Sequence, residues 1–180
     1  MRGALALVRR HAVLEVAVIV ALAIGLAVSV QAYAVKPYRI PSESMVPTLQ
    51  VGDQVIVNRF SHHLGAKPEV GDIVVFHPPT ATDETFIKRV VGLSGDRIAV
   101  RDGRVVRNGQ LQDEPYARPC GDGAQCDVPR PVRIPDGHVY VMGDNRGASQ
   151  DSRFWGSVPV SEVIGEAVAI YWPPGRAGAP

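Results

Sequence analysis

Asp96-Arg-Ile-Ala-Val-Arg-Asp102-Gly103-Arg-Val-Val-Arg-Asn108-Gly109-Gln-Leu111 is the stretch on which the fold turns. Asp-Gly and Asn-Gly both favour the positive backbone angles of two-residue type I′ hairpin turns. Two of them six residues apart, separating short β-branched runs, predict a small β-meander. Upstream, Gln54-Val-Ile-Val-Asn58, Asp72-Ile-Val-Val-Phe76 and Thr85-Phe-Ile-Lys-Arg-Val-Val91 read as strands bounded by Gly, Pro or Asp. Downstream, a Pro/Gly-rich excursion from Leu111 to Pro131 leads into Val132-Arg-Ile134, a Pro-Asp-Gly turn and His138-Val-Tyr-Val-Met142. The last third ends in Glu166-Ala-Val-Ala-Ile-Tyr-Trp172 before Pro173-Pro174. None of these runs has the length and 3.6-residue period of a helix. The expected fold is an all-β domain of many short, mostly antiparallel strands.

One segment is different. Val16 to Val35 contains twenty residues without a charge, and a helix of that length is about 30 Å long, the thickness of a bilayer's hydrocarbon core. Arg2, Arg9 and Arg10 precede it, which places the short N-terminal side in the cytoplasm. The reading divides the chain into a cytoplasmic N-terminus (1–12), a single transmembrane helix (13–35) and an extracytoplasmic β-rich domain (36–180), with 96–135 as a small β-subdomain. The competing account is a cleaved secretory signal, with Ala32-Tyr33-Ala34 as the small-x-small site. The apolar stretch exceeds the roughly 7–15 residues of a signal's apolar region, which favours a retained anchor. Either way the remainder is exported.

The chain has 180 residues, with 19 Lys+Arg against 18 Asp+Glu. Residues 1–35 hold three Arg and one Glu, so the exported part carries 16 basic and 17 acidic groups. That balance argues against nucleic acid as a partner. Cys120 and Cys126 flank Gly-Asp-Gly-Ala-Gln. Two cysteines cannot fill a structural zinc site, and no His pair lies nearby at ligand spacing. In an oxidising compartment they form one local disulfide; in a reducing one they are two free thiols.

Three irregular segments could hold chemistry. In Ile40-Pro-Ser42-Glu-Ser44-Met-Val-Pro47 two prolines restrict the backbone around a pair of serines, although turn serines are common. Only three of the 19 basic residues are lysines, Lys36, Lys67 and Lys88, and Lys88 alone is set inside an apolar strand. Arginine stays protonated in proteins, whereas a desolvated lysine can lose its proton near neutral pH and act as a base. The plain alternative is a strand lysine whose stem covers apolar surface. Gly143-Asp-Asn-Arg-Gly-Ala-Ser149-Gln-Asp151-Ser-Arg153-Phe-Trp-Gly156 packs acids, arginines and hydroxyls between strands. Alone, it reads as a solvated polar loop.

In combination the three mean more. Ser42-Glu-Ser44-Met-Val-Pro-Thr48, Lys88-Arg-Val-Val-Gly-Leu-Ser-Gly-Asp96 and Gly143 to Arg153, in that order behind one apolar segment, resemble the type I signal peptidases of bacteria. Val51-Gly-Asp53 and Gly71-Asp-Ile-Val-Val75 extend the resemblance over nearly all of residues 36–172. It implies a serine endopeptidase with a Ser/Lys dyad on the bacterial cytoplasmic membrane, acting on signal peptides of exported preproteins at the bilayer surface and needing no cofactor or metal. Ser44 is then the nucleophile and Lys88 its base. Ser42 joins the Ser44 N–H in the oxyanion hole, Ser149 positions the lysine, and Asp151 and Arg153 support the pair. Tyr38, Ile40, Met45 and Ile87 correspond to positions lining the small pockets that accept Ala-x-Ala, with the substrate lying as an added β-strand.

The chain departs from the family's usual pattern at Glu43, whose carboxylate has to point away from the oxyanion hole, and in the short segment between Lys88 and Asp144, which implies a reduced second β-subdomain. A penicillin-binding reading fails because no Ser-x-x-Lys starts at Ser44, and no Gly-x-Ser-x-Gly elbow exists for a Ser-His-Asp hydrolase. The self-cleaving Ser/Lys repressors need a DNA-binding domain in place of an anchor. Outside enzymes, the rival is an anchored extracytoplasmic β-module that binds peptides or cell-wall material.

Overall fold

The computed structural model describes residues 15–25, 35–59, 65–80, 84–121 and 126–180. Residues 15–25 are helical and exposed (α1); residues 26–34, Ala32-Tyr33-Ala34 included, lie outside the described residues, and Val35, expected as the end of the transmembrane helix, instead opens a strand by pairing with Asn58. Among the described residues no helix is long and apolar enough to cross a membrane.

The described residues form eleven strands after α1: β1 (Val35–Arg39), β2 (Gln54–Asn58), β3 (Ile73–Phe76), β4 (Phe86–Gly92), β5 (Arg97–Arg101), β6 (Arg104–Arg107), β7 (Gln110–Leu111), β8 (Val128–Arg133), β9 (His138–Met142), β10 (Val158–Pro159) and β11 (Val163–Trp172). A seven-stranded sheet has the order β1-β2-β11-β3-β4-β9-β10 and a four-stranded sheet the order β7-β6-β5-β8. Every pairing between strands is antiparallel. The chain leaves the large sheet after β4, builds the small one, and returns as β9 beside the strand it left.

Both hairpin turns form where the dipeptides lie: Asp102 and Gly103 have φ of 49° and 72°, Asn108 and Gly109 of 53° and 84°. The excursion after Leu111 is less irregular than its composition suggests, because strand β8 already begins at Val128. Pro129 and Pro131 fit there because β8 is an edge strand, where a missing N–H need not break a ladder.

Three apolar clusters hold the sheets. Ile40, Met45, Leu49, Val55, Val57 and Ile73 centre one, on the β1-β2-β11 side. Val74, Phe76, Val90, Val139 and Val158 form a second. The third joins the sheets: Val91, Tyr140 and Met142 of the large sheet pack on Ile98, Val100, Val105 and Ile134. Gly92 makes that junction possible, since a Cβ there would sit 2.7 Å from Ile98 and Ile134 side-chain atoms.

Candidate active site

β4 carries the central feature. It lies between β3 and β9, and Ile87 to Gly92 are all buried. Alternation sends Lys88 to one face and Arg89 to the other, and each finds a different partner.

Lys88 is 4% exposed. Its Nζ donates to Ser44 Oγ at 2.9 Å and to Ile87 O at 2.8 Å, and it lies 5.5 Å from the Phe86 ring centre. Burial pushes the amine down to about 8; the carboxylates of Asp151 and Asp144 pull it upward, and the Arg153 guanidinium pushes it down further. The amine is therefore able to release its proton within a pH unit or so of neutrality.

Ser44 sits in a 3-10 turn, Glu43–Met45, entered through extended Ser42. The turn buries Ser44 and Met45 and leaves Glu43 exposed, so the carboxylate is on the solvent side. Ser42 Oγ lies 3.4 Å from Ser44 Oγ, within donating distance. The turn is tied to the polar loop after β9: Asn145 N–H donates to Ser44 O at 3.0 Å, and Asn145 Nδ2 donates to Glu43 O at 3.1 Å.

That polar loop is not solvated. Asp144, Arg146, Ser149, Asp151 and Ser152 are all buried. Asp151 caps the short helix α2 (Ser152–Trp155) and accepts from Gly143 N–H at 3.0 Å and from Arg153 Nε and Nη2, each at 2.8 Å. Arg153 Nη2 also donates to Arg146 O and Ser149 O. These bonds close the loop on itself and hold Ser149 against Gly143, where any Cβ would run into the Ser149 side chain and Ser44 O. The Ser149 hydroxyl is buried with no hydrogen-bond partner among the described residues.

On the opposite face of β4, Arg89 binds both oxygens of Asp144, at 2.9 and 2.8 Å, and Thr48 Oγ1 donates to the same carboxylate at 2.5 Å. This network ties the segment after Ser44, the strand of Lys88 and the polar loop together. Arg89 adjoins Lys88 in sequence, so strand alternation alone could have marked it as facing a second polar partner.

The Ser44 and Lys88 side chains open into a cleft of about 290 Å³ lined by Pro41, Ser42, Glu84, Thr85, Phe86, Ile87, Ala148 and Gln150. Of the residues expected to line pockets, Ile87 faces this cleft. Ile40 and Met45 are buried in the adjoining apolar cluster, and half-buried Tyr38 packs against it. Glu84, Thr85, Phe86, Ala148 and Gln150 were not singled out from sequence, because nothing in their residue types marks them. A larger cleft, about 340 Å³, lies elsewhere between residues 66–74 and β11 and contains carboxylates and Lys67 but no nucleophile beside a base. Among the described residues no cluster of His, Cys, Asp and Glu could hold a metal ion.

Cys120 and Cys126 are joined as a disulfide. It lies over the Gly103 turn, so that a Cβ on Gly103 would be 3.0 Å from Cys120 Sγ.

A buried amine touching a serine hydroxyl, in a cleft beside β-strands, is the equipment of acyl transfer with lysine as base. Comparison with known proteins narrows that class. A family model described as signal peptidase, peptidase S26, matches residues 13–172. The probable signal peptidase I-1 of Synechocystis sp. is 43% identical over 164 residues, covering 87% of this chain and 81% of its own. The signal peptidase I of Leptolyngbya laminosa is 42% identical over 166 residues, covering 88% and 79%. A crystal structure of a signal peptidase I from Enterococcus faecalis is 30% identical, with a TM-score of 0.47, over 56% of this chain and 97% of that one. The chain belongs to the signal peptidase family, peptidase S26.

Proposed function

We propose that the protein is a membrane-anchored serine endopeptidase that removes N-terminal signal peptides from exported preproteins after Ala-x-Ala-type sites, with Ser44 as nucleophile and Lys88 as base. The observation that carries this reading is the 2.9 Å contact between Lys88 Nζ and Ser44 Oγ around an amine whose pKa is lowered to about 8. Ser44 Oγ attacks the scissile carbonyl as its proton passes to neutral Lys88. The oxyanion is met by the Ser44 N–H and the Ser42 hydroxyl. The lysine then protonates the departing amine, and water, deprotonated by the same lysine, releases the acyl group. In this reading Ser149 positions the amine, as the family resemblance implies, and the Asp151–Arg153 pair fixes the loop that carries Ser149.

The substrate enters as a strand. β9 pairs with β4 only from Arg89 onward, and among the described residues no strand covers the same edge of Phe86–Lys88. That edge borders the cleft and offers backbone groups to an extended peptide. Residues 13–35 serve as a single-pass anchor with 1–12 in the cytoplasm, 36–180 outside it, and the four-stranded sheet as a subdomain. The uncharged run from Val16 to Val35 and a family match that begins at residue 13 support this division.

The test is cleavage of one Ala-x-Ala precursor by the purified full-length chain in detergent. Wild type is expected to release the mature protein at that site, and Ser44→Ala to lose turnover while unfolding at the same temperature. A Ser44→Ala protein that still cleaves overturns the assignment.

A further inference from the structure

We infer that Asn145 is a positioning residue for the oxyanion hole, acting through the peptide group that joins Glu43 to Ser44. The inference rests on the reading of Ser44 as nucleophile and goes further, to what aims the donor.

Asn145 grips two consecutive carbonyls of the nucleophile's turn. Its backbone N–H binds Ser44 O at 3.0 Å, and its side-chain amide binds Glu43 O at 3.1 Å. Glu43 O also accepts from Val46 N–H at 3.1 Å, the bond that closes the 3-10 turn. The Glu43–Ser44 peptide is trans and planar, so its C=O and N–H point in opposite directions. Whatever holds Glu43 O from behind therefore aims the Ser44 N–H in front. As a donor at the start of a helical turn, that N–H has no partner within the turn. The turn's own bond to Glu43 O leaves the peptide plane free to tilt, and a second donor from a different part of the fold removes that freedom. Donation to the carbonyl also polarises the amide and strengthens its N–H as a donor.

Asn145 can do this because its own position is secured. Asp144, its neighbour, is clamped by Arg89 and Thr48, and Arg118 N–H donates to Asp144 O at 2.7 Å. The group that faces the Glu43 carbonyl at this spot has to be a donor, so aspartate, close to asparagine in shape, would set an oxygen against an oxygen.

The two roles of Asn145 separate on substitution. Asn145→Ala keeps the backbone bond to Ser44 O and loses the one to Glu43 O; Asn145→Asp keeps the volume and reverses the polarity. Loss of a complete oxyanion donor lowers kcat by about 10²–10³, so loss of its alignment is expected to lower kcat about tenfold in Asn145→Ala and further in Asn145→Asp. KM for a precursor peptide should stay within about twofold, as for an interaction made only in the transition state. A peptide aldehyde ending in alanine, which Ser44 would convert to a tetrahedral adduct, should lose affinity by the same factor as kcat/KM, while the corresponding peptide amide binds as before. The ascending limb of the rate against pH should not move, because the lysine is untouched.

These measurements are made on the full-length chain beside Ser44→Ala, with unfolding temperatures as a control. If Asn145→Ala does not fold, the isosteric Asn145→Asp carries the test. Unchanged kcat in the folded variants, a loss confined to KM, or equal loss of amide and aldehyde binding overturns the inference and leaves the dyad standing. Activity retained in Ser44→Ala overturns the dyad, and the inference with it.

Discussion

Lys88 holds a charge in a place that resists it. The carboxylate of Asp151 would keep the amine protonated, but Arg153 binds that carboxylate through Nε and Nη2 and offsets its pull, so burial decides the outcome. Arginine at position 88 would stay charged and could not accept a proton. Lys88→Arg is therefore expected to be as inactive as Lys88→Ala, and the wild-type rate to rise with pH on a limb near 8. Substantial activity in Lys88→Arg, or a limb near 10.5, removes lysine as the base. The same shift makes a claim about stability. Below pH 8 the amine is charged in both states and the cost of burying it is fully present; between about 8 and 10.5 the folded protein has released a proton that the unfolded chain still holds, so stability rises with pH. The rise amounts to on the order of 3 kcal/mol at one pKa unit per 1.36 kcal/mol. Burial raises the pKa of Tyr116 and Tyr140, which act in the opposite sense above about pH 10, so the clean window is pH 8 to 10. Urea unfolding of Lys88→Met should lack the rise in that window, and parallel curves for the two proteins would count against a depressed lysine.

Among elements, the two hairpins of the small sheet have equivalent turns in different surroundings. Gly103 and Gly109 both have positive φ, 72° and 84°, where a Cβ costs about 1–2 kcal/mol. Nothing lies within 4 Å of a Cβ built on Gly109, whereas one on Gly103 meets Cys120 Sγ, which the disulfide holds in place. Gly109→Ala is expected to lose only the backbone penalty, and Gly103→Ala distinctly more, as measured by thermal unfolding; equal losses would mean that the disulfide loop yields freely. Both turns were legible in the sequence because turn chemistry is local, and so were most of the strands, whose alternation or β-branched runs stand out against Gly and Pro; β1, with Pro37 inside it, and the two-residue β10 carry no such pattern and were not read. The start of β8 was not, because Pro129 and Pro131 read as irregular until the strand's place at a sheet edge is known. The scarcity of lysine marked Lys88, and the two prolines marked the serine turn. The bonds of Asn145 to that turn and the clamp of Thr48, Arg89 and Asp144 could not be read, since they join residues 41 to 102 positions apart.

At the scale of the whole molecule, the small sheet braces the active-site loop from behind. Arg146, 2% exposed, donates to Gly143 O at 3.1 Å and Gly103 O at 2.5 Å, and binds both oxygens of Glu114 at 3.0 and 2.7 Å. Glu114 also accepts from Val105 N–H in β6, so one buried ion pair connects the hairpin of the small sheet to the loop that carries Ser149. Arg146 O, in turn, accepts from Arg153. Removing one partner of such a pair leaves an uncompensated buried charge, at a cost of about 3–5 kcal/mol, whereas replacing both by apolar residues of similar volume is often close to neutral. Glu114→Ala should therefore unfold at markedly lower denaturant, and the pair Glu114→Leu with Arg146→Met should recover much of that loss. Activity should not recover with it, because the double variant still lacks the guanidinium that holds Gly143 O and the Gly103 turn together. Denaturant unfolding and precursor cleavage measured on the same three proteins separate the two effects. Recovery of both in parallel would show that the small sheet contributes stability alone, and a neutral Glu114→Ala would show that the two sheets do not communicate through this pair.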